Sequence, residues 1–410
     1  MARLAVGLMT LFAFAVPWEY SLDLGEPVGN IARVVGLLLL LTAVTLVLWH
    51  GSLRPPGVVQ WLTLGLYLYF VLSYLWTVDP TATLEKMRGY FQVMMVVWLM
   101  WEVGESPRQL RGMMRAFVAG CAVLAVLTLM NYASVAAQAA AQVRFAAEGQ
   151  DPNDVARFLD LGFPLATLLF ATESRWGYRL LGLAYVPCGL LAVMLTASRG
   201  GFFGALTALV GSAMLLLVWR PRAASMVFLG LATTMAVLWL FVPFASLERL
   251  ATIPSQLATG DLNERLSLWT AGWHAFTRAP WFGHGAGSFA AAAGLGAADT
   301  AHNTMVAVMV TGGVAGLLLF TGILAAVCRC VSRLDGLLRM ALGSTLAVWA
   351  VTSMVGSVEE NRMTWLLFGM MALAARLADE DDVGMREVFS GAEPAHEGGG
   401  GFAIRQPRPG

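Results

Sequence analysis

A series of uncharged, strongly apolar runs constrains the fold of this chain more than any other feature. A helix needs about 20 mostly apolar residues to cross the roughly 30 Å hydrocarbon core of a bilayer. Twelve runs approach or reach that length once their flanking residues are counted, and we predict an all-α, polytopic integral membrane protein with about twelve transmembrane helices. The runs are residues 4–16, 34–49, 58–76, 90–101, 117–135, 161–172, 180–196, 202–219, 223–242, 304–327, 340–358 and 363–375.

Composition supports the same class. Hydrophobic residues make up 58% of the chain and charged residues 13%, with a mean hydropathy of +0.68, so the polar residues are too few to cover a water-soluble globule. The formal net charge is +0 and no basic run occurs, which argues against nucleic-acid binding. We predict free thiols, because all cysteines lie in or beside apolar runs and no complete zinc motif is present: Cys121, Cys188, Cys328 and Cys330.

Arginine placement predicts the orientation of the helices. Alternate connections are basic, as at Arg54, Arg111 and Arg220, and basic connections stay in the cytoplasm. Both termini are therefore predicted to be cytoplasmic, and the long connection 243–302 is predicted to be one large periplasmic loop with short amphipathic helices. Residues 1–242 would then hold nine transmembrane helices and 303–377 three. The acidic, glycine-rich end at 378–410 is predicted to be a disordered cytoplasmic tail.

The first apolar run could instead belong to a cleaved signal peptide. Its Ala13-Phe14-Ala15 has the small-residue spacing of a cleavage site. Phe12, Phe14 and Trp18 are typical of an aromatic belt and favour a retained helix. We therefore count this run among the twelve helices, with cleavage as the alternative.

Polar residues that are unusual beside apolar spans collect on the predicted outer side. A charge at such a depth costs several kcal/mol unless it faces water or a partner. These residues therefore suggest an electropositive cavity that opens outward. They are Arg88, Arg144, residues 151–154, Arg157, Arg199, Arg265, His302 and residues 359–362.

The segment Ser198-Arg199-Gly200-Gly201 carries the most specific of these signals. The glycine pair predicts a tight reversal of the chain and a close approach of two helices around a fixed guanidinium. A guanidinium fork suits phosphate oxygens, and a lipid diphosphate would present them at this height. The alternative is an arginine that reaches to the lipid headgroups. Arg265 precedes a helical stripe of Leu266, Trp269, Trp273 and Phe276 and could equally be a solvated helix residue.

His302 and Asn303 stand at the start of an apolar helix that is expected to pack through Gly312 and Gly316. A histidine can take a proton from a hydroxyl group near neutral pH. The alternative is a histidine that caps the helix or makes a buried hydrogen bond. No pair of histidines or carboxylates has metal-ligand spacing in a plausible site, so we predict neither a metal nor another cofactor.

Three segments, in this order and spacing, resemble the bacterial O-antigen ligase and polymerase superfamily. They are TASRGGFFG at 196–204, NERLSLWTAGWHAFTRAPWFGHGAGSF at 263–289 and AHNTMVAVMVTGGVAGLLLF at 301–320. The segment DPNDVA at 151–156, which follows Arg144, is similar to an asparagine-containing motif of that family. The resemblance covers about 144–320.

The resemblance implies an inner-membrane glycosyltransferase of the GT-C type that works at the periplasmic face. Its donor would be a glycan on undecaprenyl diphosphate and its acceptor lipid A-core, within a bilayer of membrane lipids, with a metal-independent, inverting reaction. Arg199 and Arg265 would bind the diphosphate and stabilise its charge, and His302 would orient or deprotonate the acceptor hydroxyl. Further substrate-binding candidates are Arg144, Asn153, Asn303 and Arg362.

Two other functions remain open at this point. An O-antigen or exopolysaccharide polymerase would use the same donor, but polymerases tend to have two substantial periplasmic loops, and one loop dominates here. A transporter or flippase for a glycolipid would also place polar groups beside an outward cavity. Such a protein would more naturally have an internal repeat, and charged groups or broken helices near mid-membrane, and the sequence indicates none of these.

Overall fold

The computed structural model describes residues 1–390 apart from 23, 26–28, 136–143, 259, 261–264, 297–298 and most of 221–239. The regular elements within these residues are helices. The first eight are α1 Ala2–Ala15, α2 Ile31–His50, α3 Val58–Leu72, α4 Pro80–Val103, α5 Pro107–Val135, α6 Pro152–Thr172, α7 Trp176–Leu195 and α8 Arg199–Trp219. The others are α9 Phe244–Ala251, α10 Ile253–Ala258, α11 Arg265–Arg278, α12 Phe289–Ala293, α13 Thr304–Ser332, α14 Gly336–Ser353, α15 Arg362–Glu380 and α16 Asp382–Phe389. Short 3₁₀ helices follow α1 and α3 at Val16–Ser21 and Ser73–Leu75.

Nine helices of the described residues are long and apolar enough to cross a membrane: α1 and α3 with their 3₁₀ extensions, α2, α5, α6, α7, α8, α13 and α14. A polytopic membrane protein is therefore confirmed, whereas the count of twelve stays a prediction. Two of the other predicted spans lie inside α4 and α15. Most of the remaining one, 223–242, lies outside the described residues.

Two helices form the centre of the bundle. Nearly every side chain of α6 and α15 is buried, which is unusual for helices that would otherwise face lipid. Helix α6 packs against α7, α8 and α14, and α15 packs against α4 and α13. Small residues permit the close contacts, because a Cβ at Gly201 would lie 2.4 Å from the Cβ of Ala156 on α6. The predicted close approach at the Arg199 turn is present.

Helix α13 is broken at Gly313, whose φ of 60° and ψ of −162° are not helical. Residues 280–285 fill the break with backbone hydrogen bonds of 2.8–3.1 Å. Their N–H groups donate to helix carbonyls before the break, and their carbonyls accept from helix N–H groups after it. Gly283 also has a positive φ of 67°, and a Cβ on either glycine would lie 2.5 Å from the backbone nitrogen of the other. The hydroxyl oxygen of Tyr69 lies 2.7 and 2.8 Å from the carbonyl oxygens of Gly312 and Phe282.

This break corrects one expectation from the sequence, which was that no helix is broken within the membrane. An ionisable side chain inside a membrane-length helix was also overlooked in the sequence analysis. Asp160 lies in the interior of α6, is fully buried, and has no hydrogen-bond partner within the described residues. Gly312 and Gly316, in contrast, lie against the ring of Tyr69 on α3, as expected of packing positions.

Two further expectations differ in detail. The helical stripe after Arg265 lies on α11, but the protein-facing side of this helix is formed by Gly272 and Ala275, while Leu266 and Trp273 point outward. The predicted disordered tail begins with an ordered helix, α16, which buries Met385 and Phe389. Residues 391–410 lie outside the described part of the chain.

Candidate functional site

The starts of α6, α8 and α13 meet at one end of the bundle, and each is capped by a side chain. Asp151 accepts a hydrogen bond from the backbone N–H of Asn153 at 2.7 Å, and Ser198 accepts one from Gly201 at 3.1 Å. Asn303 caps α13 in the same way, at 3.1 Å from the nitrogen of Val306. Helix starts carry partial positive charge, so their convergence favours an anion at this end.

Arg144 and Asn153 join two of these helix starts. Arg144 donates to the Asn153 side-chain oxygen at 2.8 Å and to the carbonyl of Thr196 at 3.2 Å. The same Asn153 oxygen accepts a hydrogen bond from the Ser198 hydroxyl at 2.9 Å. The predicted pair therefore lies beside Arg199, and Asn153 uses its oxygen to hold Arg144 and Ser198 in place.

Arg199, Arg249 and Arg265 surround a cavity of about 140 Å³. Arg199 donates to the hydroxyl of Thr252 at 2.5 Å, and Arg249 donates to the carbonyl of Ala197 at 3.2 Å. Arg265 forms neither a hydrogen bond nor an ion pair within the described residues. Asn153, Gly200, Phe203, Ile253, Gln256, Trp269 and Val355 complete the lining. Both arginines predicted to bind diphosphate therefore face one cavity.

Arg249 is a site residue that the sequence analysis missed. It lies on α9, an eight-residue helix of the long connection, whose Leu247 and Leu250 pack against the main core. The alternation of these leucines with charged residues is the signal that could have identified it. This pattern predicts a helix that packs its leucines against the protein and places Arg249 on a different face.

The site carries more positive charge than the described residues balance. Burial lowers the pKa of Arg265, and the nearby positive charges of Arg157, Arg199 and Arg144 lower it further. Burial and the charge of Arg249 likewise lower the pKa of Arg144. Within the described residues, the nearby carboxylates are those of Asp151 and of Asp154, which pairs with Arg157. A bound anion would relieve this repulsion.

His302 is held in an unusual backbone conformation between two fixed neighbours. Its φ of 45° is in the left-handed region, which a histidine adopts infrequently. On one side Trp269 donates to the carbonyl of Ala301 at 2.9 Å, and on the other Asn303 caps α13. The imidazole is only partly covered by the protein and makes no hydrogen bond within the described residues. It is not a capping or buried structural histidine, and its nitrogens are available to a ligand.

The other predicted binding residues, Asn303 and Arg362, do not line the cavity around Arg199. Asn303 is buried, and its amide also donates to the carbonyl of Met354 at 3.2 Å, so both ends of the side chain are occupied by the protein. Arg362 forms an ion pair with Glu19 and donates to Gln92 at 2.7 Å. It lines a second cavity between other helices and not the one around Arg199.

A comparison with protein families finds a match that includes most of the candidate site residues. Residues 183–321, which include Arg199, Arg249, Arg265 and His302, match the family model described as O-Antigen ligase. These residues are similar to an O-antigen ligase domain. The match spans about a third of the chain, from within α7 to within α13, and it confirms the resemblance to the O-antigen ligase superfamily. No curated protein matches the chain.

The matched segment, residues 183–321, does not contain the whole site. Arg144, Asn153 and Arg157 come from the chain before it, on or next to α6, and Val355 comes from the chain after α14. The site therefore depends on how α6 and α14 pack against α8 of the matched segment.

Partial burial and the charge of Arg265 lower the pKa of His302 from its ordinary value of 6.5, with a smaller effect of Arg157 in the same direction. A lowered pKa keeps the imidazole neutral at neutral pH, so it can accept a proton.

We expect the reaction of His302 with diethylpyrocarbonate, which needs the neutral ring, to have its midpoint below pH 6.5. In Arg265→Gln the midpoint should rise, because the variant removes a charge that opposes protonation. The rate at each pH is measured by mass spectrometry of the peptide that contains His302. Equal midpoints in both proteins would contradict the proposed electrostatic coupling.

Proposed function

We propose that the protein is a GT-C-type glycosyltransferase that transfers glycan from undecaprenyl diphosphate to lipid A-core during lipopolysaccharide biosynthesis. The observation that carries the proposal is the cluster of Arg199, Arg249 and Arg265 around one cavity, at the bundle end where the His302 imidazole has no hydrogen-bond partner among the described residues. The inner-membrane location, the periplasmic position of this end and the cytoplasmic termini belong to the same proposal. The orientation rests on the arginine placement in the sequence, and the inner-membrane location rests on the resemblance to the O-antigen ligase and polymerase superfamily.

The arginines suit the leaving group of this reaction. When the bond between the anomeric carbon and the diphosphate oxygen breaks, its electron pair stays on the diphosphate. Guanidinium groups that are already fixed around the cavity stabilise this developing charge without having to reorganise. Arg199 is held by Thr252 and Arg249 by the carbonyl of Ala197, so their orientation does not depend on the substrate. Departure of the diphosphate would not require a metal.

His302 suits the acceptor. A neutral imidazole takes the proton of the acceptor hydroxyl as its oxygen attacks the anomeric carbon from the face opposite to the diphosphate, which inverts the configuration. The lowered pKa favours the neutral, proton-accepting form. The fixed backbone at His302 limits the positions that its nitrogens can reach, which is what a base needs to act on one hydroxyl.

A transporter or flippase is less well supported, although the break in α13 removes one argument against it. In transporters with broken helices, the freed backbone groups face a cavity and bind ions or substrate. Here residues 280–285 of the same chain occupy those groups. The break therefore provides no ion site of that kind.

The test is a transfer reaction with purified full-length protein, undecaprenyl-diphosphate glycan and lipid A-core in the presence of EDTA. We expect glycan-capped lipid A-core on a glycolipid gel, and no product when lipid A-core is omitted. Lengthening of the lipid-linked glycan without use of the core would instead identify a polymerase. The absence of both products with substrates that a known ligase accepts would contradict both enzyme functions.

A further inference from the structure

A second, larger cavity of about 590 Å³ lies between α1, α2, α3 and α4, apart from the arginine cluster at the candidate active site. Its volume is in the range of protein sites that hold small-molecule ligands. Met9 and Phe12 of α1, Leu40 of α2 and Leu99 of α4 are among the apolar side chains of its walls. Such a wall favours a hydrocarbon chain and not a sugar.

The polar lining residues of this cavity are mainly arginines. Arg33 is near the start of α2 and Arg362 begins α15, while Arg88 lies about 12 Å along α4 from its first residue. All three helices start at the same end of the bundle as α6, α8 and α13, so the charges lie toward one end of an apolar cavity. A ligand of matching shape has an apolar chain and a polar group at one end.

Charge identifies that polar group. Arg362 is balanced by Glu19, which is buried beside it. Arg33 and Arg88 have exposed side chains that form no ion pair in the part of the chain that the structure describes. Two guanidinium groups next to a hydrocarbon environment attract an anion, and their fork matches phosphate oxygens. A lipid without phosphate would offer these two guanidinium groups no anionic partner.

A short connection separates this cavity from the candidate active site. Val355 lines the cavity around Arg199, whereas Arg362, a few residues later, lines the apolar cavity. The intervening residues are fastened to the segment that carries His302, because the Thr304 hydroxyl donates to the carbonyl of Gly356 at 2.9 Å. A lipid headgroup at Arg33 and Arg88 would therefore lie on the other side of this connection from the reacting groups.

We propose that this cavity is a binding site for a phosphate-bearing lipid, with its apolar chain between α1, α2 and α4 and its phosphate at Arg33 and Arg88. The lipid can come from two sources: a phosphorylated glycolipid of the acceptor class or a bulk anionic phospholipid. The site is distinct from the arginine cluster at the candidate active site. Its existence does not depend on the proposed transfer reaction.

The test measures lipid binding to purified full-length protein by native mass spectrometry. The probes are lipid A, phosphatidylglycerol and a diacylglycerol with the same acyl chains as the phosphatidylglycerol but no phosphate. We expect both phosphorylated lipids to bind roughly tenfold more tightly than diacylglycerol, and the double variant Arg33→Gln, Arg88→Gln to lose most of that preference. Tighter binding of lipid A identifies an acceptor pocket, and tighter binding of phosphatidylglycerol identifies a structural lipid site. Both results support the proposal.

A second pair of variants tests the cavity itself. Leu37 and Leu41 are one turn apart on α2 and are both 56% exposed, but only Leu37 lines the cavity. Leu37→Trp should weaken binding of every probe, and Leu41→Trp should not. Equal binding of diacylglycerol and phosphatidylglycerol, an unchanged preference in the arginine variant, or equal behaviour of the two tryptophan variants would overturn the proposal. Arg199→Ala should retain lipid binding, so loss of transfer alone would bear only on the proposed function.

Discussion

Arg265→Ala and Arg199→Ala should each lower the rate of glycan transfer by about a hundredfold or more. Each guanidinium faces the cavity in which the diphosphate would gain charge, and removal of one fixed donor from such a site costs about 10²–10³ in rate. The expected loss is larger for Arg265. The described residues do not occupy its guanidinium, whereas Arg199 also bonds to Thr252. The measurement is the initial rate of lipid A-core capping at equal amounts of folded protein.

Arg220→Ala is the matched control for these variants. Arg220 caps the opposite end of α8, the same helix that begins with Arg199, and its guanidinium lies over the ring of Trp219. We expect this variant to transfer glycan at nearly the rate of the unmodified protein. Arg199→Lys should remain strongly impaired, because an ammonium group cannot form two parallel hydrogen bonds. Full activity of Arg199→Ala or Arg265→Ala would remove that arginine from the mechanism.

His302→Asn should lower the transfer rate by about 10²–10⁴-fold with little change in stability. Asparagine tolerates the left-handed backbone that His302 adopts, so the variant removes the base without straining the segment. Alanine is a less clean choice, because its Cβ disfavours the φ of 45° without any compensating interaction. Rates should be compared at several pH values, because loss of a base also removes the acidic limb of the pH profile.

His274→Asn provides the control for the histidine. His274 lies on the exposed side of α11, in the same long connection. We expect the unmodified rate from this variant, together with an unchanged thermal unfolding midpoint for both histidine variants. A His302→Asn protein that transfers glycan normally would show that the acceptor hydroxyl is deprotonated by another group or by water.

Local signals in the sequence predicted the parts of the fold and site that depend on neighbouring residues. The apolar runs predicted the membrane helices, and the glycines after Arg199 predicted the close approach to α6. His302 was identified because a polar residue next to an apolar span is costly and needs a reason. These inferences need only the periodicity and chemistry of a short segment.

The remaining features depend on contacts between distant segments. Arg362 looked like a member of the main cluster, but its pairing with Glu19 on the chain after α1 directs it to the second cavity. Arg249 lies near Arg144 only because α9 returns to the end of the bundle where α6 begins. The break in α13 could not be foreseen from 304–327, since the groups that fill it are supplied by residues 280–285.

That break also bears on how the protein is made. Residues 304–332 have the composition of a single membrane-spanning helix, and while they insert they can satisfy every backbone group as one straight helix. In the folded protein, residues 280–285, which are synthesised earlier, replace several of those hydrogen bonds within the helix. Docking of the preceding connection can therefore follow insertion of this helix, and it is docking that bends the helix. A truncated chain that begins after residue 285 would insert the span and leave it unbent.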